Sequence, residues 1–206
     1  MSLFIVIEGL DGAGTTTQAE RLCVRLAARG HPTVSTREPS DGPVGRIIRD
    51  TLRRRPGAPL PATLPYLFVA DRSDHLNRTV EPALASRKVV VSDRYYHSSL
   101  AYQSLELPLE RVHALNSDFR TPDLTIFLEV PVEECLARIT SRGEETGEER
   151  EIFEERERLT RIAAAYEATI TRLEEAGEPI LRLDGTRGIE ELAREILAAV
   201  LARVPA

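Results

Sequence analysis

Residues 3–18 read LFIVIEGLDGAGTTTQ, and this stretch decides the fold. The five apolar residues 3–7 predict a buried strand, because a short apolar run bounded by turn residues is typical of one. Residues 9, 12 and 14 are glycines. Leu22 and Leu26, which are apolar and spaced as on one face of a helix, predict a helix directly after the glycines. A glycine-rich turn between a buried strand and a helix is typical of a phosphate-binding loop, whose backbone amides wrap a phosphate at the helix N-terminus.

The last glycine of this loop is followed by Thr15, where the phosphate-loop motif has lysine. Thr16 keeps the hydroxyl position that meets Mg²⁺ in that motif. Two interpretations are open: the protein has lost phosphoryl transfer and only binds nucleotide, or an arginine from elsewhere supplies the missing charge. Lys88, the only lysine, precedes a later strand at the end of the sheet opposite the nucleotide. The predicted nucleotide-binding residues of the loop are Gly9, Leu10, Asp11, Gly12, Ala13, Gly14, Thr15, Thr16 and Thr17.

Further apolar runs predict strands at residues 33–36, 89–91, 124–128 and 180–183. Between and after these runs, apolar residues recur at helical spacing, for example in residues 189–200. Alternating strands and helices, with strands that are apolar on both faces, indicate an α/β fold. We therefore expect a three-layer fold with a central parallel sheet of about five strands and helices on both faces. Residues 53–65 are rich in Pro, Gly and Arg and predict a loop between two helices.

The composition of the 206 residues, 42% of them hydrophobic, suffices for one folded core. The net charge of −6 gives no electrostatic reason to expect a nucleic-acid partner, and all but one of the 27 cationic residues are arginine. Cys23 and Cys135 lack CxxC spacing, so we expect reduced thiols. No basic leader precedes the first strand, and no apolar run reaches ~18 residues, so we expect a cytoplasmic protein without membrane contact.

A second informative stretch, residues 89–103, reads VVVSDRYYHSSLAYQ. Asp93 lies at the carboxyl end of a predicted buried strand, where an acidic residue can hold Mg²⁺ through water. Its neighbour Arg94 can bridge phosphates in the same crevice. The alternative is a surface ion pair without a role in binding.

Five motifs, taken in their order and spacing, resemble the thymidylate kinase family. They are G-x-D-G-x-G at residues 9–14, REP at 37–39, LFVADR at 67–72, DRYYHSSLAYQ at 93–103 and PDLTIFL at 122–128. The resemblance spans nearly the whole chain and implies that dTMP is phosphorylated to dTDP with ATP and Mg²⁺. It also implies one P-loop NTPase-like domain over residues 1–206, with ATP and dTMP as small-molecule partners, and a homodimer.

The resemblance further implies roles for individual side chains. Phe68 would stack on thymine, Arg72 would donate to its O4, and Tyr102 would crowd the sugar C2′. Phe68 and Tyr102 could equally pack in the core. The implied substrate-binding residues are Glu38, Pro39, Arg49, Phe68, Arg72, Arg94, Ser98, Ser99, Tyr102 and Gln103. The implied catalytic residues are Asp11, Asp93, Arg94, Arg142 and Arg150, of which Asp93 would hold Mg²⁺ together with Thr16.

Residues 141–151 read SRGEETGEERE, and this polar stretch predicts a mobile lid. A solvated helix end with a charged face is the alternative. Resemblance to the bacterial type of the family implies that Arg142 and Arg150 reach the γ-phosphoryl group from the lid, with Arg138 beside ATP. Planar cations delivered to that group are worth ~10³ to 10⁵ in rate in comparable phosphoryl transfers.

A kinase that acts on a deoxynucleoside is a further alternative. Such an enzyme needs a carboxylate base to deprotonate its hydroxyl acceptor. The residues that follow the third predicted strand offer no carboxylate besides Asp93, so this alternative ranks low.

Overall fold

The computed structural model of the protein describes residues 2–141 and 149–203, and for residues 149–153 it describes the backbone alone. Within this part of the chain, five strands form one sheet in which all neighbours run parallel. The strands are β1 (Leu3–Gly9), β2 (Thr33–Arg37), β3 (Val89–Asp93), β4 (Leu124–Glu129) and β5 (Ile180–Asp184), in the order β2-β3-β1-β4-β5. The predicted parallel sheet is confirmed, and every predicted apolar run lies inside one of these strands.

The central strand β1 separates two apolar cores. Leu3, Ile5 and Ile7 belong to the core on one face of the sheet, whereas Phe4 and Val6 belong to the core on the other. All seven residues of β1 are buried. A parallel sheet is covered on both faces, and this explains why the strand is apolar without alternation.

Helices cover both faces of the sheet within the described residues, and none of them is both long and apolar enough to cross a bilayer. They are α1 (Thr15–Ala27), α2 (Pro43–Leu52), α3 (Leu64–His75), α4 (Glu81–Ala85), α5 (Tyr96–Tyr102), α6 (Leu109–Asn116), α7 (Val132–Ser141), α8 (Glu149–Glu175) and α9 (Ile189–Leu201). A π-helical turn at Leu76–Val80 joins α3 to α4, and 3₁₀ turns lie at Pro61–Thr63 and Gln103–Leu105.

The helices predicted from apolar spacing are present as α1 and α9. Helix α9 buries Leu192, Ile196 and Val200, whereas Ile189 at its start is 51% exposed. The predicted loop at residues 53–65 ends early, because α3 already begins at Leu64. Proline is well tolerated in a first helical turn, where the amide that it lacks would have no partner, so Pro65 does not delay the helix.

Both cysteines are free, as expected from their spacing. Burial raises the pKa of the Cys135 thiol to about 11, so this side chain stays protonated at neutral pH. Burial also raises the pKa of Cys23. Neither thiol has the lowered pKa of a reactive cysteine.

The strand order creates a crevice at the carboxyl edge of the sheet. The chain leaves β1 toward β2 and β3 on one side and later returns to β4 on the other side of β1. Open α/β sheets bind ligands where the strand order reverses in this way. Gly9 and Asp93 end their strands at this point and carry the two predicted phosphate-binding segments into the crevice.

Candidate active site

The loop between β1 and α1 has the backbone shape that its glycines predict. The Ala13 amide donates to the Leu10 carbonyl over 2.9 Å and closes a turn. Gly12 has a φ of +86°, and a Cβ at this position would lie 2.6 Å from the Cys135 carbonyl oxygen. Gly14, with a φ of +96°, is the N-cap of α1. The free amides at the start of α1 therefore lie at the carboxyl edge of the sheet, where they and the helix dipole stabilise an anion.

Thr15 is the first residue of α1, and its side chain turns inward. The residue is 6% exposed, and its Cγ2 methyl lies 3.4 Å from the position that a Cβ on Gly9 would occupy. A short buried side chain does not reach a nucleotide phosphate as the lysine of the usual motif does. Any side-chain cation for these phosphates therefore comes from elsewhere.

The two predicted metal ligands, Thr16 and Asp93, are in direct contact. The Thr16 hydroxyl donates to Asp93 Oδ2 across the gap between α1 and β3. The other carboxylate oxygen, Oδ1, is buried and has no hydrogen-bond partner among the described residues. A hydroxyl and a carboxylate side by side are hard oxygen donors of the kind that Mg²⁺ takes.

Arg94 begins the turn after β3 with a φ of +74°, a left-handed conformation that is uncommon for a residue with a side chain. Its Nη2 donates to Asp11 Oδ1 over 2.7 Å, and its Nη1 donates to the hydroxyls of Tyr166 and Ser98 over 3.0 and 3.1 Å. The guanidinium carbon lies 5.5 Å from the centroid of the Tyr102 ring. Backbone strain of this kind persists where surrounding contacts fix it, and it is often found at functional sites.

The alternative of a surface ion pair is not supported for Arg94. Its carboxylate partner is Asp11 of the phosphate loop, and only 17% of the Arg94 side chain is exposed. The guanidinium instead lies beside the loop that is predicted to bind ATP.

Glu8 and Tyr166 complete the site, and the sequence motifs missed both. The Glu8 carboxylate is fully buried and accepts hydrogen bonds from the Tyr95 amide over 2.7 Å, the Ser98 hydroxyl over 2.7 Å and the Tyr166 hydroxyl over 2.9 Å. Burial and the neighbouring Glu8 raise the pKa of Tyr166 well above its usual value, so this hydroxyl stays protonated. An acidic residue directly after an apolar run was the available signal for Glu8.

A cavity of about 160 Å³ lies beside the phosphate loop. Every predicted substrate-binding residue except Arg49 lines it, together with Asp11 of the loop. Phe68 and Tyr102 both face this cavity, although Tyr102 also packs edge-on against the Tyr166 ring at 5.8 Å. The Gln103 side-chain oxygen is buried and lacks a hydrogen-bond partner among the described residues, so this amide is available to a polar ligand.

Arg72 forms a fully buried part of the cavity wall. Its Nε donates to Glu38 Oε2 over 2.9 Å, its Nη2 donates to the Ser99 hydroxyl over 3.0 Å, and its Nη1 donates to Asn116 Oδ1. The Glu38 carboxylate also contacts His75 Nδ1 at 3.1 Å. Nη2 also lies 2.7 Å from Glu38 Oε2, so most of the guanidinium donors already serve protein partners.

Among the described residues, two carboxylates line the cavity, and neither belongs to the segment after the third strand, in which Asp93 is the predicted carboxylate. They belong to Asp11 and Glu38. Asp11 accepts from Arg94, and Glu38 accepts from Arg72. Because each already serves as the partner of an arginine, neither is placed as a free base for a hydroxyl acceptor.

Arg49 and Arg138 support the site from outside the cavity. Arg49 Nη1 donates to the Pro39 carbonyl over 3.1 Å and so holds one wall. Arg138 Nη1 donates to the Gly12 and Ala13 carbonyls, at 3.3 Å each. These contacts reach the loop through its carbonyl oxygens rather than its amides, and contact between Arg138 and ATP stays a prediction.

The lid lies largely outside the described residues. Arg142 is in the segment 142–148, for which no structure is described, and Arg150 lies in the first turn of α8 with its side chain among those not described. The roles of both arginines stay predictions from the sequence.

Comparison with known proteins shows similarity over almost the whole chain. The sequence profile of a family described as thymidylate kinase matches residues 7–196. The chain is 36% identical to the thymidylate kinase of Desulfotalea psychrophila, over 95% of this chain and 93% of that protein. It is 37% identical to a probable thymidylate kinase of Methanococcus maripaludis, over 100% of this chain and 98% of that protein. A probable thymidylate kinase of Thermococcus gammatolerans is 35% identical, with 97% and 96% covered.

Proposed function

The chain belongs to the thymidylate kinase family, and on that premise we propose that its cavity binds dTMP beside an ATP held by the phosphate loop. As a member of this family it is an ATP-dependent kinase that transfers a phosphoryl group to dTMP and yields dTDP. The relatives are named as kinases, so the alternative of a catalytically silent nucleotide-binding protein has no support from them. Finer assignments, residue by residue, are proposals that rest on the geometry of the site.

The observation that carries the acceptor assignment is the cavity itself. It presents the ring of Phe68, the guanidinium of Arg94 and the amide oxygen of Gln103, which has no hydrogen-bond partner among the described residues. A flat pyrimidine with a phosphate requires this combination of an aromatic face, a hydrogen-bonding edge and a cation. Tyr102 would lie against the sugar and disfavour a ribose 2′-hydroxyl.

Thr16 and Asp93 fit a magnesium ion that accompanies ATP. Asp93 Oδ1 is a buried acceptor without a partner among the described residues, and Thr16 lies directly beside the carboxylate. The described residues contain no cluster of three or more His, Cys, Asp or Glu that could hold a metal alone, so nucleotide oxygens and water would complete the ligand set. Bound Mg²⁺ would neutralise charge on the ATP phosphates.

The proposed chemistry is direct in-line transfer, in which positioning and charge neutralisation replace acid–base catalysis. The acceptor is a phosphate that is already ionised at neutral pH, so no base has to remove a proton from it. Arg94 would contact the phosphates, and its contacts with Asp11 and Tyr166 would hold the guanidinium in place before substrates bind. Glu8 fixes Tyr166 and Ser98 in turn and so acts through them as a positioning residue.

The charge that Thr15 does not supply would come from the lid, as in the bacterial type of the family. We assign this role to Arg142 and Arg150, because the sequence places both in the polar segment that precedes and opens α8. Of the cations described near the loop, Arg138 bonds to loop carbonyls, and Arg94 already has its own proposed contact with the phosphates, so neither takes the place of the lysine. Arginine can replace lysine here, because a planar guanidinium forms two-pronged contacts with phosphate.

We further propose one domain that forms a homodimer in the cytoplasm. Ile47 and Leu52 on α2 and Tyr66 on α3 are 40%, 52% and 45% exposed, and exposed apolar side chains of this size favour an interface. A second copy of the chain would cover them through a two-fold interface. Light scattering of the purified protein tests this state, and a monomer at micromolar concentration would count against it.

Turnover with defined acceptors tests the proposed function. With ATP and Mg²⁺, the protein is expected to convert dTMP to dTDP and to leave thymidine unphosphorylated, because the described residues that line the cavity offer no free base for a hydroxyl acceptor. Removal of divalent ions with EDTA is expected to abolish the reaction. Chromatographic separation of the nucleotides measures each product. Binding of both nucleotides without dTDP formation would instead indicate a silent protein, and faster use of thymidine would indicate a nucleoside kinase.

The lid assignment predicts a specific kinetic signature. Arg142→Ala and Arg150→Ala are each expected to lower kcat by about 100-fold while KM for dTMP changes less than about threefold, because the two cations act mainly in the transition state. The matched control is Arg156→Ala, an exposed arginine on α8 that pairs with Glu133 at 3.0 Å. Steady-state kinetics of the variants decide the case, and equal losses in kcat and in dTMP binding would contradict the assignment.

A further inference from the structure

Arg158 lines the acceptor cavity, although no sequence motif points to it. It lies on α8, the helix that follows the lid segment, and it faces the same enclosure as Asp11, Phe68 and Arg94. Its helix is rich in charged residues, so neither its type nor its spacing distinguishes it in the sequence. The cavity therefore receives a third arginine from an element that does not belong to the phosphate loop or to the Asp93 segment.

The other two cavity arginines are neutralised by carboxylates of the same cavity. Arg72 is paired with Glu38 at 2.7 Å, and Arg94 is paired with Asp11 at 2.7 Å. These two pairs contribute no net charge to the enclosure. A monophosphate brings close to two negative charges at neutral pH, and two internally compensated pairs do not balance them.

Arg158 differs from both in the position of its partner. Its guanidinium pairs with Glu155 at 3.2 Å, one helical turn earlier on α8, and Glu155 is not part of the cavity wall. The two side chains are 51% and 37% exposed, and an exposed ion pair of this kind is weak and readily exchanged. Among the described residues that line the cavity, Arg158 is therefore the arginine whose carboxylate partner lies outside the cavity wall, and its weak pairing lets it change partner.

We propose that Arg158 binds the phosphate of the monophosphate acceptor and is the residue through which this cavity prefers a nucleotide over the corresponding nucleoside. On binding, the guanidinium exchanges Glu155 for the phosphate oxygens. This inference rests on the proposed function, since it takes dTMP as the acceptor. It assigns Arg158 to the ground-state binding of the acceptor, in contrast to the lid arginines, which act on the transferring group.

Calorimetric titration with dTMP, thymidine and a non-hydrolysable ATP analogue tests the proposal. Arg158→Ala is expected to raise the Kd for dTMP by about tenfold, the effect of one charge-assisted contact, and to change the Kd for thymidine and for the ATP analogue less than twofold. Arg158→Lys is expected to recover part of the dTMP affinity. Arg156→Ala, two residues away and 50% exposed, is the matched control and is expected to bind all three ligands as the unmodified protein does.

Three outcomes would overturn the proposal. They are an unchanged Kd for dTMP, equal losses for dTMP and thymidine, which indicate a change in cavity shape, and a loss confined to the ATP analogue, which indicates contact with the donor. Turnover of the unmodified protein distinguishes failure of the Arg158 assignment from failure of the proposed function. If that protein makes dTDP and Arg158→Ala binds dTMP normally, only the Arg158 assignment fails, whereas absence of both dTMP binding and dTDP would remove the proposed function itself.

Discussion

Replacement of Arg94 by alanine is expected to lower kcat for dTDP formation by about 1,000-fold, with the protein still folded. The guanidinium lies beside the phosphate loop and is held by Asp11, Tyr166 and Ser98. A cation fixed in advance near a transferring phosphoryl group is worth ~10³ or more in rate, since it need not reorganise as charge develops. Asp11, the partner left behind, is 44% exposed, so water can solvate its carboxylate and the fold should persist.

Steady-state assays of dTDP formation, with circular dichroism to verify folding, measure this effect. Arg120→Ala is a suitable control, because Arg120 forms a two-pronged surface pair with Glu81 away from the cavity and should leave kcat unchanged. Arg94→Lys should retain only part of the activity, since an ammonium group cannot make the same divergent contacts. A loss below about tenfold for Arg94→Ala would show that this guanidinium does not act on the reacting phosphates.

Replacement of Arg72 by methionine is expected to lower the free energy of unfolding by about 3–5 kcal/mol. The Arg72 side chain is fully buried, and its partner Glu38 is 2% exposed. Removal of one member of a buried ion pair leaves an uncompensated charge in the interior, which costs far more than the pair itself contributes. The Ser99 and Asn116 side chains would each lose a hydrogen-bond donor as well.

Urea unfolding measures this loss, and a double variant keeps the prediction testable if the single variant does not fold. Adding Glu38→Gln to Arg72→Met removes both charges and is expected to restore at least half of the lost stability. Arg78→Ala, which removes an exposed arginine paired with Asp74 at 2.6 Å, should shift the urea midpoint little. Equal stabilities of the Arg72→Met and Arg78→Ala variants would contradict the account of this buried pair.

The strands could be predicted because a strand that is buried on both faces is a short run of apolar residues in the sequence. Each strand of a parallel sheet is covered on both faces, so the apolar runs from Leu3 and from Leu124 stand out against polar turns. Element ends were less accurate, and Pro65 shows why: the residue breaks helix interiors but suits a first turn, so the helix began inside the predicted loop.

The site residues that lie in sequence motifs could be predicted, whereas those that join the site only through tertiary contacts could not. Tyr166 meets Glu8 across 158 positions of sequence, and Asn116 meets Arg72 across 44, so no local pattern marks either pair. The family resemblance implied that Arg72 contacts thymine. Only the structure shows that most of the Arg72 donors already bond to protein groups. The sequence did not distinguish Arg158 from the other charged residues of α8, because periodicity does not reveal which of them faces a cavity.

The central claim is that this chain transfers phosphate to dTMP with lid arginines in place of the lysine that Thr15 replaces. A crystal structure with dTMP and a non-hydrolysable ATP analogue tests it most directly. The account predicts the guanidinium of Arg142 or Arg150 at about 3 Å from an oxygen of the terminal phosphate, the distance of a charge-assisted hydrogen bond. A closed complex in which neither guanidinium comes within about 5 Å of that phosphate, beyond the reach of such a bond, would contradict it.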